Sequence, residues 1–464
     1  MAKKLTRSVC VSLLLAAYAT GTFAQNPGSA TGDKPVFQWG GDFRFRYEGY
    51  TNAQTLNSNA AYNARDYLRT RLRLWETTNP LPGLTLFGRI SAEPRYWFSA
   101  AKPNPGNGEE WKYALFDNLY AKWDTAPGGT PVTVVAGRQD IQLGDQWLVS
   151  DGTPIDGSWT NHFDALRVTI DAKSIKTKFD LIVLNQQARP GDRLPVLGNR
   201  YDHANANYLI TEQDETGVIL YASNKSIKDT QLDGYFIYKG DDKVGSAGDN
   251  ADIYSLGAKV SGTPAANWQY ATEGAYQWGH RDLAVRYPAT VTGSREVSAY
   301  GLNAKLTYLF KDTYSNQLTF LTEYLSGDSA GSRTDGMFDN LWGRYPRLGE
   351  TWAAAYSLET GGRVAQYNNL FRLGTTWSIA PDKDTTIATT YCAMFAPEAR
   401  PTRATNIARF GGGHFRGHML QMVLKHKFSK TLSGLIFAEA SFMGDFYAQQ
   451  TTMTFLRAEM LVTF

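Results

Sequence analysis

From Trp39 to the C-terminus the chain alternates apolar and polar residues in short runs divided by breaks. Asp42, Arg44, Arg46 and Glu48 alternate with Phe43, Phe45 and Tyr47. Arg69, Arg71 and Arg73 alternate with Leu68, Thr70, Leu72 and Leu74. Gly301, Asn303, Lys305 and Thr307 alternate with Tyr300, Leu302, Ala304, Leu306 and Tyr308. A period of two makes a strand with one greasy face and one wet face. The breaks come in two lengths. Short ones at 76–83, 124–131, 171–177, 223–229, 261–267, 311–316, 380–384 and 428–431 carry the Asn, Asp, Pro, Gly and Ser that tight turns need. Long ones lie near 49–66, 94–112, 139–162, 186–215, 240–251, 279–296, 326–367, 396–416 and 443–451. Short and long breaks alternate, and together they separate eighteen strands. The stretch 345–379 is hard to divide, so sixteen strands stays open.

Tight turns at one end and long loops at the other predict an all-β fold, a transmembrane antiparallel β-barrel with its long loops outside the cell. A soluble β-sandwich would alternate too. Aromatic residues at strand ends, Trp39, Trp75, Trp123 and Tyr308, fit the interfacial girdles of a barrel better. In the last stretch Leu456, Ala458, Met460, Val462 and Phe464 share one face, while Arg457, Glu459 and Thr463 share the other. A strand ending on a bare Phe suits a closed sheet with no edge to hide.

Composition then removes alternatives. A chain of 464 residues would otherwise suggest two or three soluble domains. It holds 26 Tyr, 23 Phe, 12 Trp and 43 Gly, yet its mean hydropathy is −0.37. Beyond the N-terminal segment no run approaches the length of a membrane-spanning helix. Lys3, Lys4 and Arg7, the apolar run 9–19 and the small residues before position 25 predict a secretory signal over 1–24. The apolar run is too short for the competing reading, a retained anchor helix. A flexible leader over 25–36 and a barrel over 37–464 follow. Cleavage would take three basic residues and no acid from a total of 47 basic and 44 acidic, leaving a neutral chain. Bulk charge therefore points to no nucleic acid. Cys392 would remain alone, with no intrachain disulfide, and reads as a small packed residue.

Where the charges sit is more informative. An arginine at mid-membrane on the lipid face is too costly, so strand arginines are expected in the lumen. That assigns Arg44, Arg46, Arg69, Arg71, Arg73, Arg89, Arg138, Arg167, Arg372 and Arg457 to the inner wall. They could pair with Asp42, Glu48, Glu93, Glu273, Glu323 and Glu459 and simply fill a wet lumen. They could instead line an anion path, because guanidinium offers paired donors to carboxylate or phosphate at any physiological pH. Gln269, Gln277, Tyr235 and Tyr120 would suit sugar hydroxyls and faces, as in any porin.

Catalysis finds little support. His162, His203, His280, His414, His418 and His426 form no metal-binding spacing, and no HExxH, CxxC or GxSxG occurs. Gly411-Gly412-Gly413 precedes no helix and reads as a flexible loop. Asp241, Asp242, Asp249 and Asp252 could hold calcium, but a solvated loop is the preferred reading.

The segment Ala136-Gly137-Arg138-Gln139-Asp140-Ile141-Gln142-Leu143-Gly144-Asp145, followed by Phe163-Asp164-Ala165-Leu166-Arg167, resembles the hallmark region of the alginate-export outer-membrane porins. The Arg-rich early strands and Phe338-Asp339 are similar too. The resemblance implies an eighteen-strand monomer in the bacterial outer membrane whose arginine-lined constriction passes an anionic polyuronate, without cofactor or catalysis. It places Arg138 and Arg167 on the motif itself, and Arg44, Arg71 and Arg457 by strand position. Implied partners are an anionic polysaccharide or oligosaccharide, outer-membrane lipid and lipopolysaccharide, the barrel-assembly machinery and periplasmic secretion partners. Since every inner turn is short, any gate must come from an outer loop, of which 326–367 is the longest. A porin for small anions, an adhesion or assembly platform, and a barrel hydrolase are the alternatives.

Overall fold

The computed structural model describes residues 36–60, 63–98, 108–111, 114–150, 162–189, 191–197, 209–283, 293–329, 332–401, 404 and 406–464. The signal segment and the leader up to residue 35 lie outside the described residues. The strands of the wall are β1 (Phe37–Thr51), β2 (Ala64–Arg69 continued by Arg71–Leu81), β3 (Leu84–Ala92), β4 (Ala114–Thr125), β5 (Val132–Gln139) and β6 (Phe163–Ala172). Then come β7 (Thr177–Gln186), β8 (Gln213–Asn224), β9 (Thr230–Lys243), β10 (Asn250–Ala265), β11 (Trp268–Leu283) and β12 (Gly293–Leu309). The last six are β13 (Gln317–Leu325), β14 (Leu370–Ile379), β15 (Thr385–Phe395), β16 (Phe415–Lys427), β17 (Leu432–Met443) and β18 (Thr452–Thr463). Each pairs antiparallel with the next, and β18 pairs back onto β1 from Asp42↔Thr463 to Thr51↔Thr454. These eighteen strands therefore form one closed sheet among the described residues. Closure satisfies the edge N–H and C=O groups that lipid cannot. The eight short breaks join strands at one end, and the nine long ones at the other. The uncertain stretch 345–379 resolves into one helix, α1 (Glu350–Glu359), and one strand, β14. No described helix is long and apolar enough to cross a membrane.

The alternation sorts the side chains as period two requires. Phe43, Phe45, Leu72, Leu74, Leu302 and Leu456 point outward and are exposed, while Asp42, Arg44, Arg46, Glu48, Arg69 and Arg71 are buried inside. Trp75 departs from the girdle expectation. It shares the inward parity of Arg71 and Arg73, and its ring lies over Gly40, whose added Cβ would meet it at 2.9 Å. The seam has a similar joint. Gly41 and Phe464 exchange backbone hydrogen bonds of 2.9 and 3.0 Å, and a Cβ at Gly41 would stand 2.5 Å from the Phe464 ring.

The lumen is filled by chain rather than by an apolar core of strands. The connection between Leu325 and Leu370 folds inward and carries α1. Its Phe338, Leu341, Leu348, Trp352, Tyr356 and Tyr367 are fully buried. Two of its rings sit in notches of the wall left by glycine. Trp342 lies over Gly217, where a Cβ would be 2.5 Å from the ring, and Phe338 lies over Gly301, at 2.8 Å. Trp147, from the connection after β5, stacks on Phe338 with centroids 5.2 Å apart. A ten-residue helix is marginal alone. Here the wall caps it: the Glu439 carboxylate accepts from the Glu350 N–H at 3.1 Å and the Thr351 N–H at 2.9 Å.

Overpacking a tight joint costs about 1–3 kcal/mol. Gly41→Val is therefore expected to lower the thermal unfolding midpoint of the detergent-solubilised barrel. Gly234→Val, whose Cβ meets nothing within 4 Å, is expected to leave it unchanged. Heat-dependent gel mobility of the two variants checks this.

Candidate functional site

Strands β1, β2 and β18 carry a continuous arginine wall. Arg44 reaches Glu93 at 2.8 Å, and Arg69 reaches the same carboxylate at 2.6 Å. Arg71 and Arg73 divide Asp42 at 2.9 and 2.6 Å. Arg46 bonds Glu459 at 2.5 Å, and Arg457 bonds Glu48 at 2.5 Å across the seam. In these pairs six guanidinium groups share four carboxylates of the wall. A fifth comes from the inserted helix, where Glu350 meets Arg457 at 2.6 Å and accepts from the Tyr50 hydroxyl at 3.2 Å. The two readings of the arginines thus meet in one arrangement. Every one is paired, and several share a carboxylate. Arg73 keeps 18% of its side chain open.

Three more predicted arginines lie on the inner wall with partners of their own. Arg89 pairs with Asp117 at 2.8 Å and Asp140 at 3.1 Å, Arg167 with Asp180 at 2.8 Å, and Arg372 with Glu323 at 3.0 Å. Arg138 does not. It stands opposite Asp164 in register and bonds it at 2.7 and 2.9 Å. The neighbours Phe163 and Ala165 are buried on the lumen side, and Leu166 is exposed on the other. Alternation therefore puts Asp164 and Arg138 on the outward parity. Arg193, which bonds the outward Asn185, lies 4.0 Å from Asp164 on that same side. The rule that strand arginines face the lumen fails here because β5 and β6 end at this level, and a polar pair replaces lipid contact at the rim.

The inserted connection is anchored to barrel residues, among them two arginines that the sequence pattern did not single out. Arg281 of β11 bonds Asp335 at 2.6 Å and Asp339 at 2.7 Å. Arg416 of β16 bonds Glu359 at 2.7 Å. Charges of the other sign run the other way. Arg344 bonds Glu212 at 2.7 Å, Arg347 bonds Glu323 at 2.8 Å, and Arg363 bonds Asp249 at 3.1 Å. Arg281 and Arg416 fell in stretches read as loop, because β11 runs on to Leu283 and β16 begins at Phe415. Cross-lumen partners leave no local signal, although Phe338-Asp339 was one of the motif segments. Gln277 holds the Asp339 backbone at both its N–H and C=O, at 2.8 and 2.6 Å, so it positions the insert. Tyr235 donates to Glu273 at 2.9 Å, and Tyr120 stacks on Phe87.

Other candidates resolve differently. Asp241 pairs with Lys239, Asp249 with Arg281 and Arg363, and Asp252 accepts from Tyr238, so these aspartates serve separate partners. No group of three metal-ligating side chains occurs among the described residues. His418 bonds Tyr391, and His426 bonds Thr385. Cys392 is buried against Gly374.

Arg344 holds the Glu212 carboxyl down to about 2, against the desolvation that would raise it. A depressed acid contributes stability that is fully present above its ordinary value near 4.5 and is lost as pH falls through about 2. This anchor is therefore expected to survive at pH 4 and to release below about pH 3, read as limited proteolysis at 326–369 appearing only in strong acid.

Comparison with known proteins follows the same lines. The family model described as alginate export matches residues 37–459. No curated protein sequence matches. The fold is similar to Acinetobacter baumannii OccAB1, with TM-score 0.56, 13% identity, and 92% of this chain and 96% of that one covered. It is similar to Pseudomonas aeruginosa OccK8 (OprE), with TM-score 0.55, 12% identity and coverage of 92% and 98%. It is also similar to Pseudomonas aeruginosa OccK2 (OpdF) in complex with glucuronate, with TM-score 0.54, 8% identity and coverage of 92% and 96%. The barrel is a channel of the bacterial outer membrane, and the chain belongs to the alginate export family.

Proposed function

We propose that the channel passes an anionic oligo- or polysaccharide of the polyuronate class by passive diffusion along its arginine wall. The observation that carries this reading is the shortage of acid on β1, β2 and β18. In their ion pairs six guanidinium groups there share only three carboxylates of those strands, Asp42, Glu48 and Glu459, with Glu93 beyond β3 and Glu350 of the insert as further partners. Such a wall accepts further carboxylates, one after another, without a single deep trap. A uronate sugar offers one carboxylate per ring, and the glucuronate bound by Pseudomonas aeruginosa OccK2 has that chemistry. The inserted connection favours a second reading, a porin for small anions such as phosphate or organic acids, because it narrows the lumen. A platform with a permanently filled barrel would conduct negligibly.

Planar bilayers test this reading. In a salt gradient the reversal potential is expected to show anion preference. A charge removed about 10 Å from a permeating anion changes its energy by roughly 1–2 kcal/mol before salt screening, at an effective dielectric near 20. Arg73→Gln and Arg167→Gln, both partly open to the lumen, are each expected to lower the anion-to-cation permeability ratio about threefold. Cation preference would overturn the reading. Block by uronate oligomers but not by phosphate separates it from the small-anion porin.

A further inference from the structure

The wall holds a carboxylate receptor away from the β1–β2–β18 cluster, and the insert fills it. Arg416, fully buried at the outer end of β16, gives one nitrogen to both oxygens of Glu359, at 2.7 and 2.9 Å. The Tyr447 hydroxyl donates to the same carboxylate at 2.8 Å and accepts from Arg416 at 3.1 Å. The guanidinium lies between two rings, with Phe446 at 4.1 Å and Tyr356 at 4.7 Å. Only Glu359 and Tyr356 belong to α1. Phe446 is held by the outer connections, while Arg416 is tied to the end of the insert as well. Arg416 also bonds the Asn369 carbonyl at 2.9 and 3.2 Å. The Phe446 N–H bonds the Phe415 carbonyl at 3.0 Å, and the Gly411 N–H bonds the Phe446 carbonyl at 2.9 Å.

Glu359 is poorly placed for its own helix. It is the last residue of α1, where the macrodipole disfavours negative charge, and the last turn holds no basic residue. The receptor, not the helix, accounts for an acid at this position. Wall arginines hold insert carboxylates also at Arg281, with Asp335 and Asp339, and at Arg457, with Glu350.

We propose that Arg416 and Tyr447, with the Phe446 ring backing the guanidinium, form a subsite for a uronate, the guanidinium and hydroxyl taking its carboxylate, and that Glu359 occupies it as an intramolecular stand-in. The proposal rests on the polyuronate reading and adds a competition: the polymer takes the receptor when α1 leaves. The occupied state is then the resting one, and substrate itself opens the path.

The test uses the full chain in planar bilayers, with a uronate tetrasaccharide as probe and a neutral glucose tetrasaccharide as control. Removing a charge-assisted competitor is expected to lower the half-blocking uronate concentration about tenfold in Glu359→Gln. Arg416→Gln in the same background, which leaves no unpaired buried charge, is expected to abolish that gain. Arg416→Lys keeps the charge without the planar guanidinium and is expected to restore only part of it. Heat-dependent gel mobility confirms folding of each variant. If uronate blocks the wild-type channel but Glu359→Gln blocks at the same concentration, the subsite is wrong and the channel reading stands. If uronate blocks neither, the polyuronate reading falls with it.

Discussion

A guanidinium inside the barrel wall is tolerable only beside a carboxylate. Taking either ion out of water costs several kcal/mol, and each must recover this from a partner in good geometry. That constraint organises the molecule. It ties β18 to β1 through Arg457 and Glu48 at 2.5 Å, and β1 to β2 through Asp42, which serves Arg71 and Arg73. It also explains the insert. Charges of both signs on the barrel find partners on the insert. The connection after β13 brings Asp335, Asp339, Glu350 and Glu359 to wall arginines. It returns Arg344, Arg347 and Arg363 to wall acids.

On the proposed reading, attraction and occlusion come from the same chemistry. The insert is seated by shape as well, with Trp342 and Phe338 in glycine notches and Glu439 capping α1. Shape fixes where it sits, while charge fixes what can replace it. A neutral solute gains nothing by displacing those carboxylates. On the proposed reading, a polyuronate would restore each pair as it breaks one, which keeps the exchange near balance along the path. On that reading, rigid scaffold and exchangeable ion pairs divide the work between the closed sheet and the inward connection after β13.

The fold was legible because period two, turn chemistry and the alternation of short and long breaks all say the same thing. The inward faces of β1 and β2 followed from Phe43 and Phe45 against Arg44 and Arg46. Two kinds of fact were not legible. Parity needs a known register, and Arg138 looked lumenal until its pairing with Asp164 showed the opposite face. The insert was visible only as a long loop, because partners such as Glu359 and Arg416 lie 57 positions apart and neither breaks a local pattern. Period-two reading also ends where a strand meets a loop, and Arg281 and Arg416 lie at those ends. The seam between β18 and β1, suggested by the apolar stripe ending at Phe464, became part of the site itself through Arg457.

One measurement bears on the whole account. The hydroxyls of Thr351 on α1 and Ser441 on β17 are 2.9 Å apart, close enough for a disulfide to replace them. With Thr351→Cys and Ser441→Cys introduced together, uronate oligomer flux into liposomes is measured before and after reduction. The account predicts little uronate flux while the bond locks α1 to the wall, and flux restored on reduction. Equal uronate flux in the locked and reduced channels would contradict it.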